Sequence, residues 1–239
     1  MNKIRLNRFI QKYNLAGLIE SVTWKADGSK LVTKFISDDK TVLGELELDN
    51  FNFEAAELGI YTTSNLSKLL SVMGDDVELH VSKVEDKSIG LNFNSEGTKV
   101  SYQLADLAVI PAVPDLKSLP PFDIEIDLDG KFIDKFIKGK NALSDVDNFT
   151  IITEGGDLNL VIGYSNVNSN RITYKIKEGY GSDVTPISFS AKYLKEILVA
   201  NKDANSAKLQ ISTQGLAHIA FKIDDYTSKY YLVEVQLSA

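Results

Sequence analysis

The sequence predicts an α+β protein made of two duplicated domains, each with antiparallel sheets and two helices. Three observations support this prediction. The same order of predicted helices and strands occurs twice, a proline-rich stretch at 110–121 separates the two copies, and the basic residues concentrate in the predicted helices. The expected organisation is an N-terminal domain over 1–108, a connector over 109–121 and a C-terminal domain over 122–239.

The first half contains a helix, a three-strand meander, a fourth strand, a second helix and three further strands. In the first helix, Leu6, Phe9, Ile10 and Tyr13 follow the spacing of a buried helical stripe. Alternating apolar residues separated by turn residues predict the strands. The predicted helices cover 2–13 and 64–73, and the predicted strands cover 20–25, 31–36, 41–48, 56–62, 77–81, 88–93 and 99–104.

The second half begins with a strand and then repeats the same order. Phe9-Ile10 corresponds to Phe136-Ile137, which indicates an internal duplication. Proline fixes φ and lacks a backbone N–H, so the proline-rich stretch favours an extended connector over a long loop within one domain. The predicted helices cover 131–142 and 191–202, and the predicted strands cover 122–128, 149–153, 159–163, 171–176, 184–189, 208–211, 217–223 and 230–237.

The composition argues against several kinds of chemistry. The chain has no cysteine, no apolar run long enough to span a membrane and no signal-peptide core near Met1. Its two histidines, His80 and His218, fall within strand patterns and are interpreted as structural. The acidic pairs Asp38-Asp39 and Asp75-Asp76 lie at turns without a set of ligands, as does Asp224-Asp225. We therefore expect no metal, no cofactor and no catalytic residues, and hence a protein that is not an enzyme.

Charge is unevenly distributed along this acidic chain, whose net charge is −7. The four predicted helices carry twelve basic and two acidic residues, whereas the remainder carries fourteen basic and 31 acidic residues. An ordinary solvated helix face is the alternative interpretation, but such faces usually mix both signs. We therefore expect the helices to face a polyanion. The side chains concerned are Lys3, Arg5, Arg8, Lys12, Lys68, Lys131, Lys135, Lys138, Lys140, Lys192, Lys195 and Lys202.

One local run resembles a known family. Residues 58–79, Leu-Gly-Ile-Tyr-Thr-Thr-Ser-Asn-Leu-Ser-Lys-Leu-Leu-Ser-Val-Met-Gly-Asp-Asp-Val-Glu-Leu, are similar to part of the first domain of DNA polymerase sliding clamps. The similar clamps are of the two-domain, PCNA-like type of tailed phages, and 230–235 resembles their last strand. The duplicated order, the basic helices and the connector extend the resemblance over the whole chain. Only two residues precede the first helix, so the opening strand of cellular clamps is expected to be short or absent.

The resemblance implies a fold of two sliding-clamp domains, with sheets outside and basic helices on the inner face. It implies a processivity factor that encircles double-stranded DNA as a head-to-tail homotrimeric ring and contacts it without sequence specificity. The implied partners are the replicative DNA polymerase and a clamp loader. The implied location is the cytoplasm of an infected bacterial host, without membrane association.

The resemblance also implies two protein-binding surfaces. One edge strand of each domain is expected to pair with the neighbouring subunit. These strands contain Lys99, Val100, Ser101, Tyr102, Gln103 and Leu104 in one domain, and Arg171, Ile172, Thr173, Tyr174, Lys175 and Ile176 in the other. A pocket beside the connector is expected to receive short peptides of the polymerase and loader, and its predicted residues are Val113, Leu116, Leu119, Val235 and Leu237.

Two alternative functions remain open from the sequence. A monomeric polymerase accessory factor of similar fold would hold DNA on an open basic face, with salt-dependent affinity that needs no loader. A phage virion or tail protein of duplicated β-rich domains would instead assemble into particles, and its function would not depend on the helix lysines.

Overall fold

The computed structural model of the chain describes residues 2–165, 167, 169–204 and 206–236. The α-helices in these ranges are α1 (Lys3–Asn14), α2 (Thr63–Ser71), α3 (Gly130–Ala142) and α4 (Ala191–Ala200). The strands are β1 (Val22–Ala26), β2 (Leu31–Ile36), β3 (Val42–Leu48), β4 (Ala56–Ile60), β5 (Glu78–Val84), β6 (Lys87–Ser95), β7 (Thr98–Gln103), β8 (Ile124–Asp127), β9 (Asn148–Glu154), β10 (Asp157–Ile162), β11 (Ile172–Lys177), β12 (Ile187–Ser190), β13 (Lys208–Ser212), β14 (Leu216–Ile223) and β15 (Tyr226–Val233).

The chain divides into two compact units. Unit 1 contains the chain up to Asp38, together with Leu43–Asp115 and Lys222–Ser228. Unit 2 contains Asp39–Val42, Leu116–Phe221 and the described residues from Lys229 onward. None of the helices in the described ranges is long and apolar enough to cross a membrane.

In unit 1, antiparallel strands run in the order β4-β1-β2-β3, and a second sheet has the order β5-β6-β7. The apolar stripe of α1 packs on β1 and β2 through an aromatic cluster. The Phe9 ring lies edge-on to Trp24 with centroids 5.7 Å apart, and Tyr13 lies 6.3 Å from Trp24 and 6.4 Å from Phe35. All four side chains are buried, so they hold the helix on the sheet.

One cross-strand contact in unit 1 leaves no room for a side chain. Phe35 on β2 pairs with Gly44 on β3, and its buried ring covers the glycine. A Cβ atom at Gly44 would lie 2.2 Å from the nearest ring carbon. The absence of a side chain at Gly44 therefore allows Phe35 to lie flat against β3.

In unit 2, the strand orders are β12-β9-β10-β11 and β8-β13-β14-β15. The α3 helix packs on β9, where the Phe136 and Phe149 rings meet edge-on with centroids 5.7 Å apart. Phe149 in turn contacts Phe189 of β12, at 5.6 Å. The two helices of each unit lie beside each other, α1 with α2 and α3 with α4.

The two units repeat one arrangement. The order β4-β1-β2-β3 corresponds to β12-β9-β10-β11, and β5-β6-β7 corresponds to β13-β14-β15. Unit 2 adds β8 to the edge of β13, whereas the described residues of unit 1 have at that position a single bridge between Asn2 and Asp76. The predicted α+β class is confirmed, and so is the duplicated order of elements. The opening strand of the first copy is reduced to one bridge.

Most predicted elements differ from the observed ones at an end, and two of these differences change the placement of predicted site residues. The last strand is β15, so the prediction of a strand over 230–237 is wrong at both ends. Val235 follows β15, and its N–H donates to the Ser188 carbonyl oxygen at 2.9 Å. The helix predicted over 191–202 ends at Ala200, because the Asn201 side chain donates to the Ile197 carbonyl oxygen and to the Tyr230 hydroxyl. Lys202 therefore lies beyond α4.

Candidate functional site

The basic residues predicted from the helices occupy three different environments. Some extend into solvent, some are partly covered and two are buried. The exposed residues are Arg8, Lys68, Lys131, Lys135, Lys138, Lys192 and Lys202, the partly exposed residues are Lys3, Arg5 and Lys195, and the buried residues are Lys12 and Lys140.

An exposed lysine row lies along α3. Lys131, Lys135 and Lys138 point to solvent, whereas Ile133 and Phe136 point into the core. Within the described ranges none of the three ammonium groups has a hydrogen-bond or ion-pair partner. The spacing of i, i+4 and i+7 keeps the lysines on one helix face. The row is therefore free to bind anions.

The α4 helix adds fewer available cations. Lys192 is exposed, whereas the Lys195 ammonium lies 3.1 Å from a carboxylate oxygen of Glu196, and both side chains are mostly covered. The Ser190 hydroxyl accepts a hydrogen bond from the Tyr193 N–H and starts the helix. Together α3 and α4 present a face on which basic groups outnumber carboxylates.

Lys12 and Lys140 are buried, so these two side chains do not lie on the polyanion-facing surface that the sequence predicts. The Lys140 ammonium donates to the Ser144 carbonyl oxygen at 2.9 Å and thereby covers the end of α3. The Lys12 ammonium lies 5.5 Å from the centroid of the Tyr226 ring, a cation–π contact. Long lysine stems let both groups turn back onto nearby acceptors, which a helical spacing does not reveal.

The arginines of α1 contact the acidic β14–β15 turn. The Arg5 Nη2 atom donates to Asp225 Oδ2 at 2.7 Å and to the Asp49 carbonyl oxygen at 2.8 Å, while Nη1 donates to the Asn50 carbonyl oxygen at 3.2 Å. Arg8 lies 3.8 Å from Asp224. The Asp224-Asp225 pair, which is interpreted from the sequence as an ordinary turn, is thus the counter-charge of the α1 row.

We predict that Arg5→Ala lowers the free energy of unfolding by about 1–2 kcal/mol, because it removes three hydrogen bonds, two of which are partly buried. Urea denaturation of both variants would measure this. Arg8→Ala is the matched control. The ion pair between Arg8 and Asp224 is longer and more exposed than that of Arg5, so we expect its loss to lower the free energy of unfolding by less than about 0.5 kcal/mol. Equal losses in the two variants would contradict the assignment.

The two predicted interface strands both lie at sheet edges. Among the described strands, β7 pairs with β6 alone and β11 pairs with β10 alone. The Leu104 N–H donates to the Ile89 carbonyl oxygen and so points toward β6. Because N–H groups alternate in direction along an antiparallel strand, those of Lys99, Ser101 and Gln103 point away from β6. β7 therefore has an open hydrogen-bonding edge. Leu104 follows β7 and Arg171 precedes β11, so each predicted range is one residue out of step with its strand.

On β11 the charged side chains are held within unit 2. The Lys175 ammonium lies 2.6 Å from Asp157 Oδ2, and this contact raises the pKa of Lys175 and lowers that of Asp157. The Tyr174 hydroxyl donates to the Lys135 carbonyl oxygen at 2.7 Å, and burial raises its pKa. These contacts fix the side chains of β11 in the isolated chain.

The first part of the connector lies on β1 and β2. Val113 is half-buried in a groove that includes Val32, and the Asp115 carboxylate accepts from the Lys34 ammonium at 2.7 Å. This contact raises the pKa of Lys34 and lowers that of Asp115. The connector is therefore tethered to unit 1 by an apolar contact and an ion pair.

The other predicted pocket residues have different surroundings. Leu116 and Leu119 are each 43% exposed, so neither is buried on the domain beneath it. Val235 is half-buried, and Leu237 lies outside the described residues. A single pocket formed by these side chains with Val113 stays a prediction.

An outward-facing aromatic cluster in unit 2 was not predicted as a site. The His218 ring stacks on Tyr231 with centroids 4.8 Å apart and on Phe122 at 5.7 Å. His218 Nδ1 lies 3.0 Å from the Gln210 side-chain oxygen, and burial lowers the pKa of His218. Val233, exposed at 44%, follows Tyr231 by two positions on β15. Buried and less buried residues alternate along β14 and β15. This alternation is the sequence signal that places His218 and Tyr231 on the face of the sheet that points away from the core.

Within the described residues there is no group of three or more histidine or acidic side chains that could hold a metal ion. No protein-family description matches the chain, and no curated protein matches its sequence. Solved structures do match. The chain is similar to the Proliferating Cellular Nuclear Antigen of Entamoeba histolytica, with a TM-score of 0.69 and 20% sequence identity over 99% of this chain and 97% of that one.

It is also similar to the PCNA2-PCNA3 complex from Sulfolobus tokodaii. That match has a TM-score of 0.69 and 13% identity, and it covers 98% of this chain and 97% of the other. Both matches extend over almost the whole chain, so they include both units and the connector. The fold is therefore the PCNA-like fold of two duplicated clamp domains.

Proposed function

We propose that the chain is a sliding clamp that encircles duplex DNA and tethers a replicative DNA polymerase for processive synthesis. The observation that carries this proposal is the full-length likeness to PCNA structures in a chain whose helices are basic and whose remainder is acidic. In this proposal, residues 1–108 and 122–239 are the two clamp domains, and residues 109–121 connect them. No catalytic step is assigned to the chain.

Contact with DNA in this proposal is electrostatic and independent of sequence. Lysines on flexible stems bind phosphate oxygens without reading base edges, which allows a closed ring to move along the duplex. The acidic remainder of the chain repels DNA from other surfaces. Processivity then follows from the closed ring rather than from tight binding.

The proposed assembly is a head-to-tail homotrimer. The open edge of β7 in one subunit pairs with the open edge of β11 in the next, and a repeated contact of this kind closes into a ring. The tailed-phage source, the clamp loader and the cytoplasm of an infected bacterial host complete the proposal. These three points follow from the sequence resemblance.

The solution mass tests the proposed ring. We expect sedimentation equilibrium to give three times the monomer mass of 26.4 kDa at high micromolar concentration, with dissociation on dilution. A monomer at every concentration would contradict a ring. If that monomer bound DNA in a salt-dependent way, the data would favour the non-encircling accessory factor. Incorporation into virions without DNA binding would favour the structural protein.

We predict that a Leu116→Ala/Leu119→Ala variant binds the clamp-binding peptide of the cognate polymerase about tenfold more weakly. Both side chains are 43% exposed, so their truncation removes apolar contact area available to a peptide and has little effect on the core. Isothermal titration would measure the affinity. Lys117→Ala is the control on the same segment and is expected to leave the affinity unchanged. Unchanged affinity in the double-leucine variant would contradict the pocket assignment.

A further inference from the structure

We infer that DNA contact in this protein is asymmetric: the free lysines on α3 of unit 2, with Lys192 of α4, carry it, whereas the basic row of α1 in unit 1 is held by the acidic β14–β15 turn. This inference rests on the proposed clamp function and specifies how the basic residues of α1 and α3, with Lys192, differ in their availability to phosphate. The charge pattern of the sequence treats both copies of the duplicated domain alike, but their internal contacts differ.

In unit 1, the Arg5 guanidinium already donates three hydrogen bonds within the chain. Its guanidinium donates to one carboxylate oxygen of Asp225 and to the carbonyl oxygens of Asp49 and Asn50, at 2.7–3.2 Å. The Tyr226 hydroxyl also donates to the Arg5 carbonyl oxygen at 2.8 Å, so the turn contacts the helix backbone too. Binding a DNA phosphate would require Arg5 to leave these acceptors, which opposes the exchange.

The other basic residues of α1 are also committed or compensated. The Lys3 ammonium donates to the Met73 carbonyl oxygen, and Lys12 is only 4% exposed beneath the Tyr226 ring. Arg8 is about half exposed, but Asp224 lies 3.8 Å from it. A phosphate that approached α1 would therefore meet two carboxylates of the turn next to the two guanidinium groups.

Unit 2 has no equivalent arrangement on α3. Lys131, Lys135 and Lys138 are exposed, and in the described part of the chain their ammonium groups contact no acceptor. Lys192 on the neighbouring α4 is exposed in the same way. The single carboxylate of α3 belongs to Asp134, which forms no ion pair in the described structure. These ammonium groups exchange only water for phosphate, so binding them to DNA breaks no protein contact.

The first test removes two charges from each row and measures binding of the full-length protein to a fluorescein-labelled duplex by anisotropy over a series of NaCl concentrations. Lys135→Ala/Lys138→Ala is expected to weaken binding about tenfold and to reduce the slope of log affinity against log salt by about one to two. Arg5→Gln/Arg8→Gln removes the same charge and is expected to weaken binding less than about twofold. A larger loss in the arginine variant would overturn the inference.

The second test keeps Arg5 and Arg8 and instead removes the two carboxylates that face them. It therefore remains informative if the arginine variant does not fold. Asp224→Asn/Asp225→Asn removes the two carboxylate charges beside the guanidinium groups, while the Asp49 and Asn50 carbonyl oxygens still accept from Arg5, and it is expected to strengthen DNA binding several-fold. Glu85→Gln/Asp86→Asn is the matched control, because this pair also forms a hairpin turn, with φ of +55° at Glu85 against +50° at Asp224. An equal gain in both variants would overturn the inference, since general charge would then explain it.

The outcome for the unmodified protein separates the inference from the proposed function. Absence of salt-dependent duplex binding by the wild type, even at low salt, would overturn the asymmetry, whereas a monomer at every concentration would overturn the clamp proposal. If the wild type binds DNA and the α1 and α3 variants lose the same amount of affinity, the clamp proposal stands and only the asymmetry is overturned.

Discussion

Ser101→Pro is expected to convert the proposed trimer into monomers while the fold of the subunit stays intact. The N–H of Ser101 points away from β6, so proline at this position removes no hydrogen bond of the existing sheet. It removes a donor from the edge that is proposed to pair with β11 of the next subunit. The pyrrolidine ring of the proline also blocks close approach of that strand.

Ser101→Ala is the matched control for this variant. The Ser101 hydroxyl donates to the Asn92 side-chain oxygen at 2.7 Å, and both substitutions remove this bond. Only proline removes the backbone N–H. We expect sedimentation equilibrium to show trimers for alanine and monomers for proline, with unchanged circular dichroism for both. A trimer that survives with proline would contradict pairing through the β7 edge.

Gly44→Ala is expected to lower the free energy of unfolding by about 2–3 kcal/mol. The added methyl would meet three carbons of the Phe35 ring at 2.2–2.7 Å. Phe35 is only 1% exposed within the aromatic cluster under α1, so the ring cannot move outward. Overpacking of a close-packed core costs about 1–3 kcal/mol, and displacement of a whole ring belongs at the upper end of that range.

Gly90→Ala on β6 separates this steric effect from the general preference for alanine over glycine in a strand. The nearest atom to a Cβ at Gly90 is 3.5 Å away, an ordinary contact distance. We therefore expect this variant to be neutral or stabilised by about 0.5 kcal/mol. Urea denaturation of both variants measures the difference. Equal stabilities would show that Phe35 can repack over a methyl group.

The periodic elements of this chain could be predicted from the sequence because their patterns are local. Alternation on β2 gives its bounds of Leu31–Ile36 directly, and the buried stripe of α1 gives its inward face. Duplication reinforces each assignment, because a weak pattern in one half has a counterpart in the other. Errors occur at the ends, where one side-chain contact decides, as Asn201 does after α4.

The environments of the basic residues could not be predicted in the same way. Arg5 and Asp225 are 220 positions apart in the sequence, so no local pattern shows that they form a pair. A helical spacing identifies the face of Lys12 and Lys140, but the direction in which a long stem turns depends on distant acceptors. The distinction between free and engaged cations therefore requires the tertiary structure.

The single bridge that replaces an opening strand in unit 1 affects how firmly its small sheet is held. β13 in unit 2 is hydrogen-bonded on both sides, by β8 and β14. In the described residues, β5 pairs with β6, and its other side has a single bridge at Asp76, just before the strand begins. Each outer strand of β5-β6-β7 therefore has one edge without a full partner strand in the described residues. We expect the amide hydrogens along these two edges to exchange through local opening rather than global unfolding.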